Sequence, residues 1–140
     1  SFSRNCMLRL VLLLVIGCTL RLPAQDELRK SIYFDGGSYD VDDHQAGQLL
    51  RWLDSIPNLL NKYHIELISH TDPIGGRRYN QWLSRMRSRR VELLLQDHSI
   101  PPELIRIRDW GSDMPVYSND SYPGMLMNRR VDVMVRPMVF

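Results

Sequence analysis

The chain has 140 residues, 44% of them hydrophobic, with 18 lysines and arginines against 16 acidic residues and a formal charge of +2. Once a leader is removed, roughly 100 to 115 residues can bury one modest core, which leaves no room for a second catalytic domain. Removal of residues 1–24 would take away Arg4, Arg9 and Arg21, leaving 15 basic against 16 acidic side chains, so a general attraction to polyanions has no support.

At the N-terminus, Arg9 precedes the apolar run Leu10-Val11-Leu12-Leu13-Leu14-Val15-Ile16, the layout of a secretory signal with a basic flank and a short apolar centre. It falls short of the ~20 apolar residues that span a bilayer. Met7 is a plausible start. Two cleavage outcomes stay open: Val15-Ile16-Gly17-Cys18 has the form of a lipobox that would leave a diacylated Cys18, and Leu22-Pro23-Ala24 before Gln25 has the form of an ordinary peptidase site. Either route exports the protein. Cys6 and Cys18 are the only cysteines, so the folded part carries neither disulfide nor thiolate nucleophile.

Residues 25–30 read as a charged tether, and residues 31–140 as one folded domain. A first strand is expected over Ser31–Phe34, ended by Asp35-Gly36-Gly37. The carboxylates of Asp42-Asp43 suit a helix start, and Ala46, Leu49, Leu50 and Leu53 recur on one face. Pro57 predicts a kink near Leu53–Ser55, or a restart with the ring in a first turn. Alternation predicts a second strand over His64–His70, and helical spacing runs from Tyr79 to Leu95, with Trp82 and Met86 sharing the core positions. Pro101-Pro102 breaks that helix. A third strand follows around Leu104–Arg108, then a loop from Trp110 to Met127 as a rim, then a last strand over Arg130–Arg136 with Val131, Val133 and Val135 alternating. This order predicts an α/β two-layer sandwich, βαβαββ, with a mixed sheet and two main helices on one face.

The chemistry concentrates in Ser69-His70-Thr71-Asp72-Pro73-Ile74-Gly75-Gly76 and the helix after it. Asp72 falls at the exit of a strand. Asn80, Ser84 and Arg87, spaced by four and three, share one helical face looking back toward the turn. A carboxylate and a guanidinium that converge without merging can hold the zwitterionic end of an amino acid. They can equally form an exposed salt bridge contributing ~0 to 1 kcal/mol. His44, His64, His70 and His98 are scattered, which gives no metal site, and neither a serine elbow nor a pair of catalytic carboxylates is visible. No cofactor is expected, and no enzymatic activity.

His70-Thr71-Asp72, Gly75, Asn80, Leu83-Ser84, Arg87 and Val91, with Asn128-Arg129-Arg130-Val131 near the C-terminus, resemble the signature of the OmpA-like C-terminal domain, the peptidoglycan-associated-lipoprotein type of module. Ile32-Tyr33-Phe34-Asp35-Gly36-Gly37-Ser38 is similar to that family's first strand and loop, so the likeness runs from about Ser31 to Arg136. Ser69, Ser88 and Ser99 depart from it, standing where glycine, alanine and glycine are usual. The resemblance implies noncovalent binding of peptidoglycan through the meso-diaminopimelate of its stem peptide. Asp72 would accept from the ligand's ammonium and Arg87 would grip its carboxylate, with Thr71, Asn80 and Asp35 adding contacts at the rim. It also implies a place in the periplasm or on the inner face of the outer membrane, with a lipid at Cys18 as one possible anchor.

Two other classes compete. Arg77, Arg78, Arg85, Arg87, Arg89 and Arg90 beside Tyr79 and Trp82 invite a nucleic-acid reading, although arginines spread around several helical faces form no single stripe. A wall-cleaving amidase is the other. Neither nucleic acid nor an enzyme substrate is expected as a partner.

Overall fold

The computed structural model describes residues 28–111 and 120–139. The expected leader, Cys18, the first part of the tether and the middle of the Trp110–Met127 loop lie outside the described residues. The elements are β1 (Leu28–Tyr33), α1 (Asp43–Asp54), α2 (Leu59–Lys62), β2 (Tyr63–His70), α3 (Arg77–Asp97), β3 (Ile105–Gly111), α4 (Tyr122–Asn128) and β4 (Arg130–Pro137). The strands form one mixed sheet in the order β1-β4-β2-β3. β4 runs antiparallel to both neighbours, and β2 lies parallel to β3, which requires the crossover that α3 supplies.

Alternation sets the two faces of this sheet. Ile32 faces Val131, Leu67 faces Val133 and Ile65 faces Val135 across the pairings, and these side chains point toward Leu49 and Leu53 of α1 and Val91 and Leu95 of α3. Both main helices therefore cover one face. On the opposite face Asp132 accepts from Ser31 Oγ at 2.6 Å and from Arg130 Nε at 3.0 Å, and Glu66 lies between Arg108 at 2.9 Å and Arg136 at 3.1 Å.

Several boundaries differ from the sequence reading for local reasons. β1 begins at Leu28, so Leu28, Arg29 and Lys30 belong to the sheet and not to a tether; they pair with Val135, Met134 and Val133. Asp42 caps α1 as expected, its carboxylate accepting from Gln45 N at 2.8 Å. Gln45 in turn holds the backbone of Tyr33 through its amide, which ties α1 to the end of β1. Pro57 sits in neither helix: α1 stops at Asp54, and α2 starts after Asn58, whose left-handed backbone asparagine tolerates. The rim loop contains α4, begun by Ser121 accepting from Gly124 N and by Pro123 in the first turn. Ser99 stands at φ 65°, the left-handed conformation that explains why the resemblance expects glycine there.

Candidate ligand-binding site

The site is built where β2 ends. Asp72 Oδ1 accepts from the backbone N–H of Ile74 at 3.0 Å, a side-chain turn that bends the chain out of the sheet. Gly75 and Gly76, at φ +98° and +81°, then lead into α3. A side chain at Gly75 would be strained twice over, by that φ and by the Tyr79 ring, whose Cδ1 lies 2.5 Å from where a Cβ would sit.

Asn80, Ser84 and Arg87 share the inward face of α3 and are buried, as their spacing predicts. Arg87, 1% exposed, does not pair directly with Asp72. Its Nε donates to the carbonyl of Ser38 at 2.8 Å and one Nη donates to that of Asp35 at 3.0 Å, so it ties down the loop after β1; its guanidinium lies 5.0 Å from the centre of the Phe34 ring. Burial is the largest influence on its proton affinity, pushing the pKa down to about 10 against the opposing pull of Asp72. It remains a cation at neutral pH. Asp35 thus contributes its carbonyl to Arg87 while its side chain is exposed.

Asp72 takes a different partner, Arg129, whose Nε donates to Asp72 Oδ2. Both side chains are largely buried, Asp72 at 7% residue exposure, so this is no exposed surface pair of negligible weight. Arg129 reaches the turn because its own carbonyl accepts from Phe34 N at 2.9 Å, which fixes the start of β4 beside the end of β1. Its guanidinium lies against Gly36, where a Cβ would come within 3.4 Å of the guanidinium carbon, an ordinary contact distance. Sequence reasoning singled out Asn128-Arg129-Arg130 without assigning Arg129 a partner. Arg130 lies on the far face of the sheet with Asp132.

Around Asp72, several buried polar atoms have no hydrogen-bond partner among the described residues: Thr71 Oγ1, both amide atoms of Asn80, Ser84 Oγ and Arg87 Nη1. Leaving such a group unmet costs about 1–3 kcal/mol. The cluster brings together, on one turn and one helix face, a carboxylate, two guanidinium groups, an amide and hydroxyls with hydrogen-bonding capacity unspent among the described residues.

Other candidates fall away from this site. Trp82, expected in the core, is exposed, because the inward stripe runs through Leu83, Arg87 and Val91, about 100° further around the axis. Among the six helix arginines Arg87 points inward, Arg90 pairs with Asp40 and Arg89 with Glu92, so they make no single basic stripe. Among the described residues no group of three His, Cys, Asp or Glu side chains is placed to hold a metal ion.

Residues 33–129 match the model of the OmpA family. The chain is 38% identical over 72 residues to Outer membrane porin F of Pseudomonas fluorescens, covering 51% of this chain and 22% of that protein. It is 35% identical over 71 residues to Outer-membrane lipoprotein YfiB of Pseudomonas aeruginosa, covering 51% and 42%. The chain therefore spans less than half the length of these relatives. Among solved structures, the peptidoglycan-associated lipoprotein from Burkholderia pseudomallei superposes with a TM-score of 0.65 at 27% identity, over 76% of this chain and 90% of that one. The C-terminal domain of Helicobacter pylori MotB shares the fold at a TM-score of 0.68 and 22% identity, over 76% and 84%.

Proposed function

The chain belongs to the OmpA family, and from that premise we propose that it binds peptidoglycan without catalysis, holding the meso-diaminopimelate of a stem peptide and so attaching the outer envelope to the wall. The observation that carries this reading is the set of unpartnered buried atoms around an existing ion pair: Asp72 with Arg129, and beside them Arg87 Nη1, Asn80 and Thr71. The distal end of diaminopimelate carries an ammonium and a carboxylate on one carbon. Entering the site, its ammonium meets Asp72 while its carboxylate meets Arg87 and Arg129, so Asp72 and Arg129 each exchange one counter-charge for another, and Arg87, held until then by two carbonyls, gains one. Guanidinium suits this task, because its planar fork meets both carboxylate oxygens at once. Asn80 and Thr71 then complete the shell with neutral hydrogen bonds.

The names of the relatives agree with a place in the cell envelope, one being a porin and one a lipoprotein of the outer membrane. We place this domain in the periplasm or at the inner face of the outer membrane. A diacyl anchor at Cys18 and a freely exported form starting at Gln25 remain alternative attachments, which the intact mass of the membrane-fraction protein separates.

Matched stem peptides test the clasp. A lysine-type peptide lacks the carboxylate proposed to face the two arginines, and loss of a charge-assisted contact of about 1.5–3 kcal/mol corresponds to roughly one to two decades in affinity. Calorimetry should show that preference for the diaminopimelate peptide, and Asp72→Asn should weaken both peptides. Equal binding of the two peptides by the wild-type protein would falsify the clasp.

A further inference from the structure

The first turns of α3 carry a feature that the Asp72 clasp leaves unused. Tyr79 and Trp82 keep 42% and 41% of their surface exposed, yet neither stands alone. Their ring centroids lie 5.7 Å apart with planes inclined at 33°, and Tyr39, from the loop after β1, meets Trp82 edge-on at 6.0 Å and 87°. Each flank is pinned. Arg90 lies 5.8 Å from the centre of the Tyr39 ring while pairing with Asp40 at 3.1 Å. Tyr79 packs where a Cβ on Gly75 would lie 2.5 Å from its Cδ1 and one on Gly37 would lie 3.3 Å from its hydroxyl. Those two glycines belong to the loops that border Asp72 and Arg87, so the aromatic shelf begins at the rim of the clasp. A contiguous group of two exposed rings braced by a half-buried third marks a ligand surface more than scattered surface apolar residues do.

The shelf's chemistry narrows the ligand. Ring faces offer flat apolar area, while the Tyr79 hydroxyl, the largely exposed Asp40 carboxylate and the Arg90 guanidinium supply hydrogen-bonding edges around it. That combination suits a pyranose, whose one face is a patch of C–H groups and whose rim is hydroxyl and amide. The Asp40 carboxylate disfavours a phosphate-bearing polyanion. Position agrees: Tyr79 packs on Gly75 of the Asp72 turn and adjoins Asn80, so the shelf starts beside the clasp.

We infer that Tyr39, Tyr79 and Trp82 form a carbohydrate subsite that takes an N-acetylated amino sugar of the glycan strand from which the stem peptide hangs. This rests on the peptidoglycan reading above and adds the sugar to it. Trp82 is the central contact, since both other rings touch it.

The test uses the full chain and three probes: a disaccharide tripeptide containing diaminopimelate, the same tripeptide without sugars, and chitotetraose. In calorimetry the disaccharide tripeptide should bind about five- to tenfold more tightly than the bare tripeptide, as expected for one aromatic contact. Trp82→Ala should erase that difference and leave the bare tripeptide within twofold of wild type. Tyr39→Ala, on the opposite loop, should reduce the difference in the same direction. Chitotetraose at millimolar concentration should move the Trp82 indole N–H resonance. No sugar preference in the wild-type protein, or an equal loss for both tripeptides in Trp82→Ala, overturns the subsite while leaving the stem-peptide clasp standing. An indole shift with chitotetraose and no binding of either tripeptide keeps the subsite and removes the clasp. If none of the three probes binds, both proposals fall.

Discussion

Along one buried stripe of α3, the N-terminal half carries Asn80, Ser84, Arg87 and Ser88 with Leu83, while the C-terminal half carries Val91 and Leu95. The helix is continuous from Arg77 to Asp97, so backbone conformation does not distinguish the halves. What they meet does. Val91 and Leu95 pack against Ile65, Val133 and Val135 in the core, where each buried aliphatic side chain contributes about 1.5–3 kcal/mol. The polar half faces the Asp72 turn and the loop after β1, and leaves Asn80, Ser84 and Arg87 Nη1 without partners among the described residues. A helix selected for stability alone would carry aliphatic residues throughout. Its polar half is what the proposed ligand site requires.

The sharpest way to break this contrast is to truncate one residue in each half. Leu95→Ala removes a fully buried side chain from the apolar half and should destabilise by about 2–5 kcal/mol in urea unfolding. At temperatures where the variant remains folded, its affinity for the diaminopimelate peptide should match wild type. A loss below 1 kcal/mol would show that the C-terminal half is not the stabilising end.

Much of this division could be read from the chain before any coordinates. Periodicity placed Asn80, Ser84 and Arg87 on one face, and the alternation of Val131, Val133 and Val135 placed the core face of β4. Periodicity has a phase, however, and an error of one residue turned Trp82 from an exposed ring into an expected core position. A seven-residue helix such as α4 is too short to repeat its pattern, so its Ser121 cap and Pro123 read as loop. Arg129 shows a deeper limit. It reaches Asp72 only because β4 lies between β1 and β2, bringing residues 34, 72 and 129 together, and no local spacing encodes that order. Ser38 and Asp35 hold Arg87 through carbonyls, which side-chain patterns do not reveal.

Arg87→Met is the matching change in the polar half. Methionine keeps most of the volume and removes a buried charge that has no ion-pair partner among the described residues, which relieves its desolvation cost. Against that, the carbonyls of Ser38 and Asp35 lose a donor, although their residues are half-buried and exposed and water can replace it. The net change in stability should stay within about 1–2 kcal/mol. Binding should respond far more: affinity for the diaminopimelate peptide should fall by at least tenfold while the lysine peptide is little affected. A variant that unfolds as readily as Leu95→Ala would mean that Arg87 is a structural tie and not a ligand group.

The smallest effect concerns Asp109, which accepts from Ser88 Oγ at 2.5 Å on the same polar half. Burial raises its pKa above the ordinary carboxylate value, and the Ser88 hydrogen bond offsets part of that rise. Between the unfolded and folded pKa values, the folded state holds a proton that the unfolded state has lost. Asp109 therefore contributes stability that is complete below the unfolded pKa and disappears as pH rises through the folded one. Asn cannot ionise but can still accept from Ser88, so Asp109→Asn should gain on wild type as the pH is raised from 3 to 7. Thermal melts of the two proteins across that range, compared by their difference at each pH, read the sign directly. A difference that stays constant would mean that Asp109 titrates normally. One that moves against the variant would mean that the ionised carboxylate is stabilised here, and that the polar half costs the fold less than its burial implies.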